Sequence, residues 1–372
     1  MPLARAFADD GHAVAFATSA SFSERVEAAG FELLPAGIDG DELEARFAPY
    51  RRTLRALPVQ DRRPRSFTRR FATLEAPAKL AALHAAATAW RPELVIHESA
   101  DLAAPIVATA LGLPTVNHGF GQLIPAAGLT LAAEETAGLW ALLGLDPEPL
   151  CGVYRGTYVD PCPPSFQNGS VPDGTPVERI RPLFPPAPGE TAPAWLDELP
   201  RRRTVYVTLG TIHNELAVFR VLLDALDGLD ANVVVTVGRG NDADGLGPVP
   251  ANAVVERYVA QSFVLPRASV VVAHGGSGSL LAALAEGLPT LLVPQGADQF
   301  GNAARCVELG AGLALLPDEM TPGAVRRAVE SLLAEESYRV RAGQLAEEIA
   351  TLPHPRGVAR RLAARQGAAS SA

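Results

Sequence analysis

The sequence predicts an α/β protein of two doubly wound, Rossmann-like domains facing each other across a cleft. Three observations predict it. Short apolar strand candidates alternate with helical stretches along most of the chain, which is the pattern of βα repetition and a parallel sheet. A proline-rich break, PLFPPAPGETAPA at 182–194, divides two such series, because so many prolines neither continue a helix nor sit in a central strand. Finally, 372 residues with 48% apolar side chains are enough for two cores. The boundary is placed between residues 185 and 186.

In the first series, Pro2 to Asp10 suits a short helix ended by Gly11, and AVAFAT at 13–18 reads as a strand. Residues 21–30 read as a helix closed by Gly30, and 31–37 as a strand and turn. An arginine-bearing helical region follows, then an Ala-rich helix from Leu74 to Trp90. ELVIHES at 93–99 is a strand, 100–114 a helix with a glycine stop, 115–120 a strand, and 126–143 a helix. A doubly wound domain ordinarily opens with a strand that lies centrally in its sheet. Here a helix comes first, so this domain is expected to lack its leading strand and to fold poorly as written.

In the second series Trp195 and Leu196 begin a short helix. RRTVYVTLGT (202–211), NVVVTVG (232–238), AVVERYV (253–259), SVVVAHGG (269–276) and PTLLVPQ (289–295) are strands. ALAEGL and AARCVELGAG supply helices between them.

Composition excludes several classes. A net charge of -9 with no broad basic patch argues against a nucleic-acid binder. The arginines between Arg51 and Arg70 read as a solvated helical face. Three irregularly spaced cysteines, Cys151, Cys162 and Cys306, make neither a disulfide framework nor a zinc site, and point to a reducing cytoplasm. Asp9 and Asp10 interrupt any signal peptide, and no apolar run reaches membrane-spanning length.

The chemistry concentrates in HGGSGSLLAALAEGLPTLLVPQGADQFGN, from His274 to Asn302. A strand, a tight glycine turn and a helix N-terminus form an anion site. Backbone N–H groups of Gly276, Ser277 and Gly278 can hold phosphate oxygens, with the Ser277 hydroxyl and His274 beside them. An ordinary turn with a serine N-cap is the other reading. The spacing matches neither the ATPase P-loop nor a dinucleotide fingerprint. TLGT repeats the strand-end geometry with Thr208 and Thr211. Asp298 and Gln299 suit sugar hydroxyls, or simply start a helix. Asn302 reaches the phosphate side or faces solvent. Tyr258 and Val259 can wall a base or belong to the core.

Together these residues resemble the nucleotide-sugar glycosyltransferases of the two-domain GT-B class, family 1. Within it they look like the bacterial branch that decorates macrolides, aromatic polyketides and glycopeptides. The matching stretches are VTLGT at 207–211, VERYVAQ at 255–261, residues 270–312, and HESADLAAPIVATALGLPTVNHGFG at 97–121. The resemblance implies an acceptor-binding domain at 1–185 and a donor-binding domain at 186–372. It implies a TDP- or UDP-sugar as donor substrate, inversion at the anomeric centre, and no metal or other cofactor. His274, Gly276, Ser277 and Thr211 would lie on the phosphate side, Tyr258 and Val259 at the base, and Asp298 and Gln299 at the sugar, while Gly278, Thr208 and Asn302 join the phosphate-side candidates on their position in the sequence alone.

The family's general base is a histidine in the loop after the very first strand, a loop this sequence does not carry. Glu98 matches the acid that orients it. His12, His97, His118 and His213 do not match the base, and His97 would point away from Glu98. The expected activity is therefore sugar transfer to a hydroxyl of a hydrophobic natural product, with acceptor choice set by loops around 40–75 and 120–165. The alternative is a catalytically impaired, nucleotide-diphosphate-binding homologue or helper protein. A homodimer or a full transferase would be its partner. A sugar epimerase would need paired carboxylates, and Asp298 stands alone.

Overall fold

A computed structural model describes residues 1–210, 215–238 and 240–369. They form two compact units: Met1–Pro161 with Gly169–Ile180 and Pro353–Ala372, and Cys162–Asn168 with Arg181–Leu352.

The first unit opens with α1 (Pro2–Asp9), which has proline in its first turn and buries Leu3, Ala6 and Phe7 at helical spacing. Gly11 ends it at φ +92°, a conformation that disfavours residues with a Cβ. β1 (Ala15–Thr18), α2 (Ser23–Ala28) and β2 (Glu32–Pro35) follow, then α3 (Gly40–Phe47), α4 (Tyr50–Arg55) and α5 (Val59–Phe67). A π-helical stretch, Thr68–Glu75, leads into α6 (Ala76–Trp90). β3 (Val95–Glu98), α7 (Ala103–Ala110), β4 (Thr115–His118), α8 (Ala126–Leu142), β5 (Thr157–Asp160) and β6 (Val177–Arg179) complete this part.

The second unit holds β7 (Thr204–Thr208), α9 (Leu216–Leu226), β8 (Asn232–Thr236), β9 (Ala253–Glu256), α10 (Gln261–Val264), β10 (Val270–Ala273) and α11 (Ser277–Ala285). It continues through β11 (Thr290–Leu292), α12 (Gln299–Glu308), β12 (Gly312–Ala314), α13 (Pro322–Ala334) and α14 (Glu336–Thr351). The last helix, α15 (Pro355–Ala369), returns to the first unit. The sequence reading did not include that return, nor β5, β6, β12, α9, α13 and α14.

In the second unit six parallel strands run in the order β12-β11-β10-β7-β8-β9. Every residue of β7, β8, β10 and β11 is buried. Alternate residues feed two separate cores, as the two-residue period of a strand requires. Val205, Val207, Val233 and Val235 pack with Phe219 and Leu222 of α9 and Val325 of α13. Tyr206, Val234 and Val271 pack with Leu280 of α11 and Leu345 of α14. A parallel sheet covered on both faces needs such continuous apolar strands.

The first unit differs. Its parallel strands form two sheets, β1-β2 and β3-β4-β5-β6. The expected doubly wound sheet is thus in two pieces, although common cores reach both. One core joins Ala17 and Ala36 to Val95, Leu80 and Ile106. The other joins Phe7 of α1 to Val116, Val159 and Val358 of α15, with Val14 and Leu94 packed against it. Ion pairs hold α15 in place. Arg356 and Arg360 reach Asp10 at 3.1 and 2.8 Å, and Arg361 and Arg365 reach Glu178 at 2.9 and 2.5 Å. No described helix is long and apolar enough to cross a membrane.

Candidate functional site

β10 pairs in parallel with β7, and the register sets Ala273 beside Thr208. The residues that follow each strand are therefore neighbours. The imidazole of His274 lies between two glycines. A Cβ on Gly210 would come within 2.7 Å of His274 Cε1, and a Cβ on Gly276 would overlap Nε2 outright. Gly210 also has φ +74°. The glycines of TLG and of HGG thus make room for one side chain, a role for Gly210 that the sequence reading missed. The signal was there in a glycine at the end of the neighbouring strand.

From Gly276, the N-cap, α11 begins at Ser277. Its first turn carries the positive end of the helix dipole. Gly278 is exposed, with open space where a Cβ would stand. Ser277 is buried and donates both its N–H and its hydroxyl to Asp298 Oδ2, at 3.1 and 2.6 Å. Asp298 occupies the N-cap position of α12, yet its carboxylate turns to the start of α11. Asn302 is only 1% exposed, so it neither faces solvent nor offers a surface to a ligand. Its amide donates to Asp298 Oδ2 at 3.0 Å, to the Gly275 carbonyl at 2.8 Å and to Ser277 Oγ at 3.1 Å. Gln299, also buried, accepts the N–H groups of Gln295 and Gly296 through Oε1 and so closes its own loop.

Thr208 ends β7 and is buried, near the Tyr206 hydroxyl that meets Thr236 Oγ1 at 2.9 Å. The strand expected over 253–259 stops at Glu256. Beyond it Val259 is a core side chain, while Tyr258 is 44% exposed with its hydroxyl 3.4 Å from Glu190. Thr211 and His213 lie outside the described residues.

Glu98 ends β3 in the first unit and accepts the Ala100 N–H at 3.1 Å. Its side chain is exposed to solvent, yet the protein atoms crowded around its carboxyl push it up to about 7, with Asp101 and Glu75 adding to the rise and the Ala100 N–H and Lys79 opposing it. Next to it Lys79, the single lysine of the chain, pairs with Asp101 at 2.6 Å. Burial would raise the Asp101 carboxyl, but the Lys79 ammonium outweighs it and holds it low. His97, on the opposite face of β3 from Glu98, is 4% exposed, and burial lowers its pKa. His118 is likewise lowered by burial and contacts the Gly119 carbonyl at 2.6 Å.

Residues 5–210 match the erythromycin biosynthesis protein CIII-like N-terminal domain, and residues 220–365 match the C-terminal domain of the same family. The chain is 35% identical over 293 residues to an L-demethylnoviosyl transferase of Streptomyces niveus, covering 77% of this chain and 75% of that protein. It is 32% identical over 349 residues to the elloramycin glycosyltransferase ElmGT of Streptomyces olivaceus, covering 91% and 86%. The structure is similar to that of the glycosyltransferase VinC in complex with dTDP, with a TM-score of 0.78 and 27% identity over 98% of this chain and 95% of that one. It is also similar to the Streptomyces sp. SF2575 glycosyltransferase SsfS6 complexed with thymidine diphosphate, with a TM-score of 0.77 and 27% identity over 97% and 94%. With both domains of one family matched along its length, this chain belongs to the erythromycin biosynthesis protein CIII-like family and is a glycosyltransferase of the GT-B fold.

Proposed function

We propose that the chain moves a sugar from a thymidine or uridine diphosphate donor to a hydroxyl of a hydrophobic natural product, with inversion at the anomeric carbon. The observation that carries the reading is the His274 imidazole seated between Gly210 and Gly276 at the mouth of α11. It sets a ring N–H donor beside a helix N-terminus, where a diphosphate finds both hydrogen bonds and a favourable field. The likeness to two transferase structures that hold thymidine diphosphate supports a donor of that class.

The acceptor oxygen bonds to the anomeric carbon as the bond from that carbon to the diphosphate oxygen breaks. The diphosphate leaves with the electron pair. The α11 terminus and His274 offset the charge that develops on it. Asp298 serves the sugar hydroxyls, and Tyr258 is the exposed side chain available to the base. In the first unit, the ionised Glu98 carboxylate takes the proton that the acceptor hydroxyl releases. A carboxyl near 7 exchanges a proton readily at neutral pH. Calorimetric titration with thymidine and uridine diphosphate tests the donor site. Binding of one of them, weakened about tenfold or more by His274→Ala, is expected. Failure of the unaltered chain to bind either would overturn the reading.

A further inference from the structure

We infer that Asp298 and the donor diphosphate compete for Ser277, so that loading the donor displaces the Asp298 carboxylate. The inference rests on the donor site proposed above.

Ser277 has one backbone N–H and one hydroxyl proton to give. Both go to the same oxygen, Asp298 Oδ2. A phosphate oxygen that takes the first N–H of α11 must therefore remove a carboxylate from it. The two anions cannot share the donor, because like charges at hydrogen-bond distance repel. The resting carboxylate acts as an internal anion on the helix terminus. Asn302 marks its seat from below, donating to Oδ2 and anchored by the Gly275 carbonyl.

The loop is suited to an exchange. Asp298 itself is only partly buried. Ala297, just before it, sits at φ +51°, a left-handed conformation that costs a residue with a Cβ some strain. The consequence is discrimination between the donor and its spent form. When a nucleotide sugar binds, the displaced carboxylate gains the sugar hydroxyls as new partners. When the bare diphosphate binds, it loses Ser277 and gains nothing. After transfer, Asp298 returns to Ser277 and helps expel the product.

The test is calorimetric titration of thymidine diphosphate into the full chain and into Asp298→Asn and Asp298→Ala, with a melt recorded for each. Asp298→Asn keeps the side-chain shape without the charge. Asp298→Ala decides should the first melt early. The inference expects a folded variant to bind thymidine diphosphate about threefold or more tighter than the unaltered chain. Equal or weaker binding would overturn it while leaving the donor site intact. Absence of binding by the unaltered chain would overturn the donor site itself, and the exchange with it.

Discussion

The sheet of the second unit and the two sheets of the first are made from the same kind of strand, yet they bury very differently. β7 and β8 are buried at every position. β1 is only partly buried throughout, and β3 leaves Ile96 38% exposed. Composition accounts for part of this, since NVVVT carries three valines where AFAT has two alanines and VIHE a histidine and a glutamate. Neighbours account for the rest. β7 lies between β10 and β8, whereas β1 pairs with β2 alone and β3 with β4 alone among the described residues. A strand with one unpaired edge leaves N–H and C=O groups without ladder partners and side chains without a flank. Burial thus belongs to the assembled sheet, and the sheet of the second unit is the more deeply buried.

The largest expected effect falls in the complete sheet. Gly276→Ala drives a methyl group into the His274 ring, and should weaken thymidine diphosphate binding about 100-fold with the melt little changed, as calorimetry and circular dichroism would show. Next come paired core truncations. Leu292→Ala in β11, fully buried, should cost about 2–5 kcal/mol. Ile96→Ala in β3 should cost only about 1–2 kcal/mol, because 38% of the residue is already in water. Equal losses in chemical denaturation would break the comparison.

Lys79→Met probes the polar heart of the first unit. It strands the Asp101 carboxylate, whose partner at 2.6 Å is lost, and should cost about 3 kcal/mol in the same assay. The smallest effect is in pH dependence. Glu98 has a folded pKa near 7, raised from its ordinary value by the protein atoms around it, so the folded state holds the proton more tightly than the unfolded one. First-unit stability should then fall as pH rises from about 4.5 to about 7. Glu98→Gln should flatten that part of the melting-temperature profile. An unchanged slope would mean that the Glu98 carboxyl is well solvated.

Much of this was legible in the sequence. Alternating apolar runs gave β7, β8 and β10, and the glycine turn gave the start of α11. Asp298 and Gln299 were visible as residues, but not in their roles. Asp298 turns back to Ser277, 21 positions away, and Gln299 closes its own loop. Side-chain direction at a helix start follows from tertiary neighbours, which local pattern does not carry. Val259 was ambiguous for the same reason, since the strand ended at Glu256. The return of α15 was invisible, because its arginines find Asp10 and Glu178 more than 180 positions distant.

Amide hydrogen exchange with and without thymidine diphosphate reads both units at once. Deep protection of β7, β8 and β10 is expected, with shallow protection of β1 and β3 and ligand-induced gains confined to the stretches around 274–280 and 294–299. Uniform protection in both units would contradict the comparison. Gains centred on the first unit, or none with saturating ligand, would contradict the donor site built around His274.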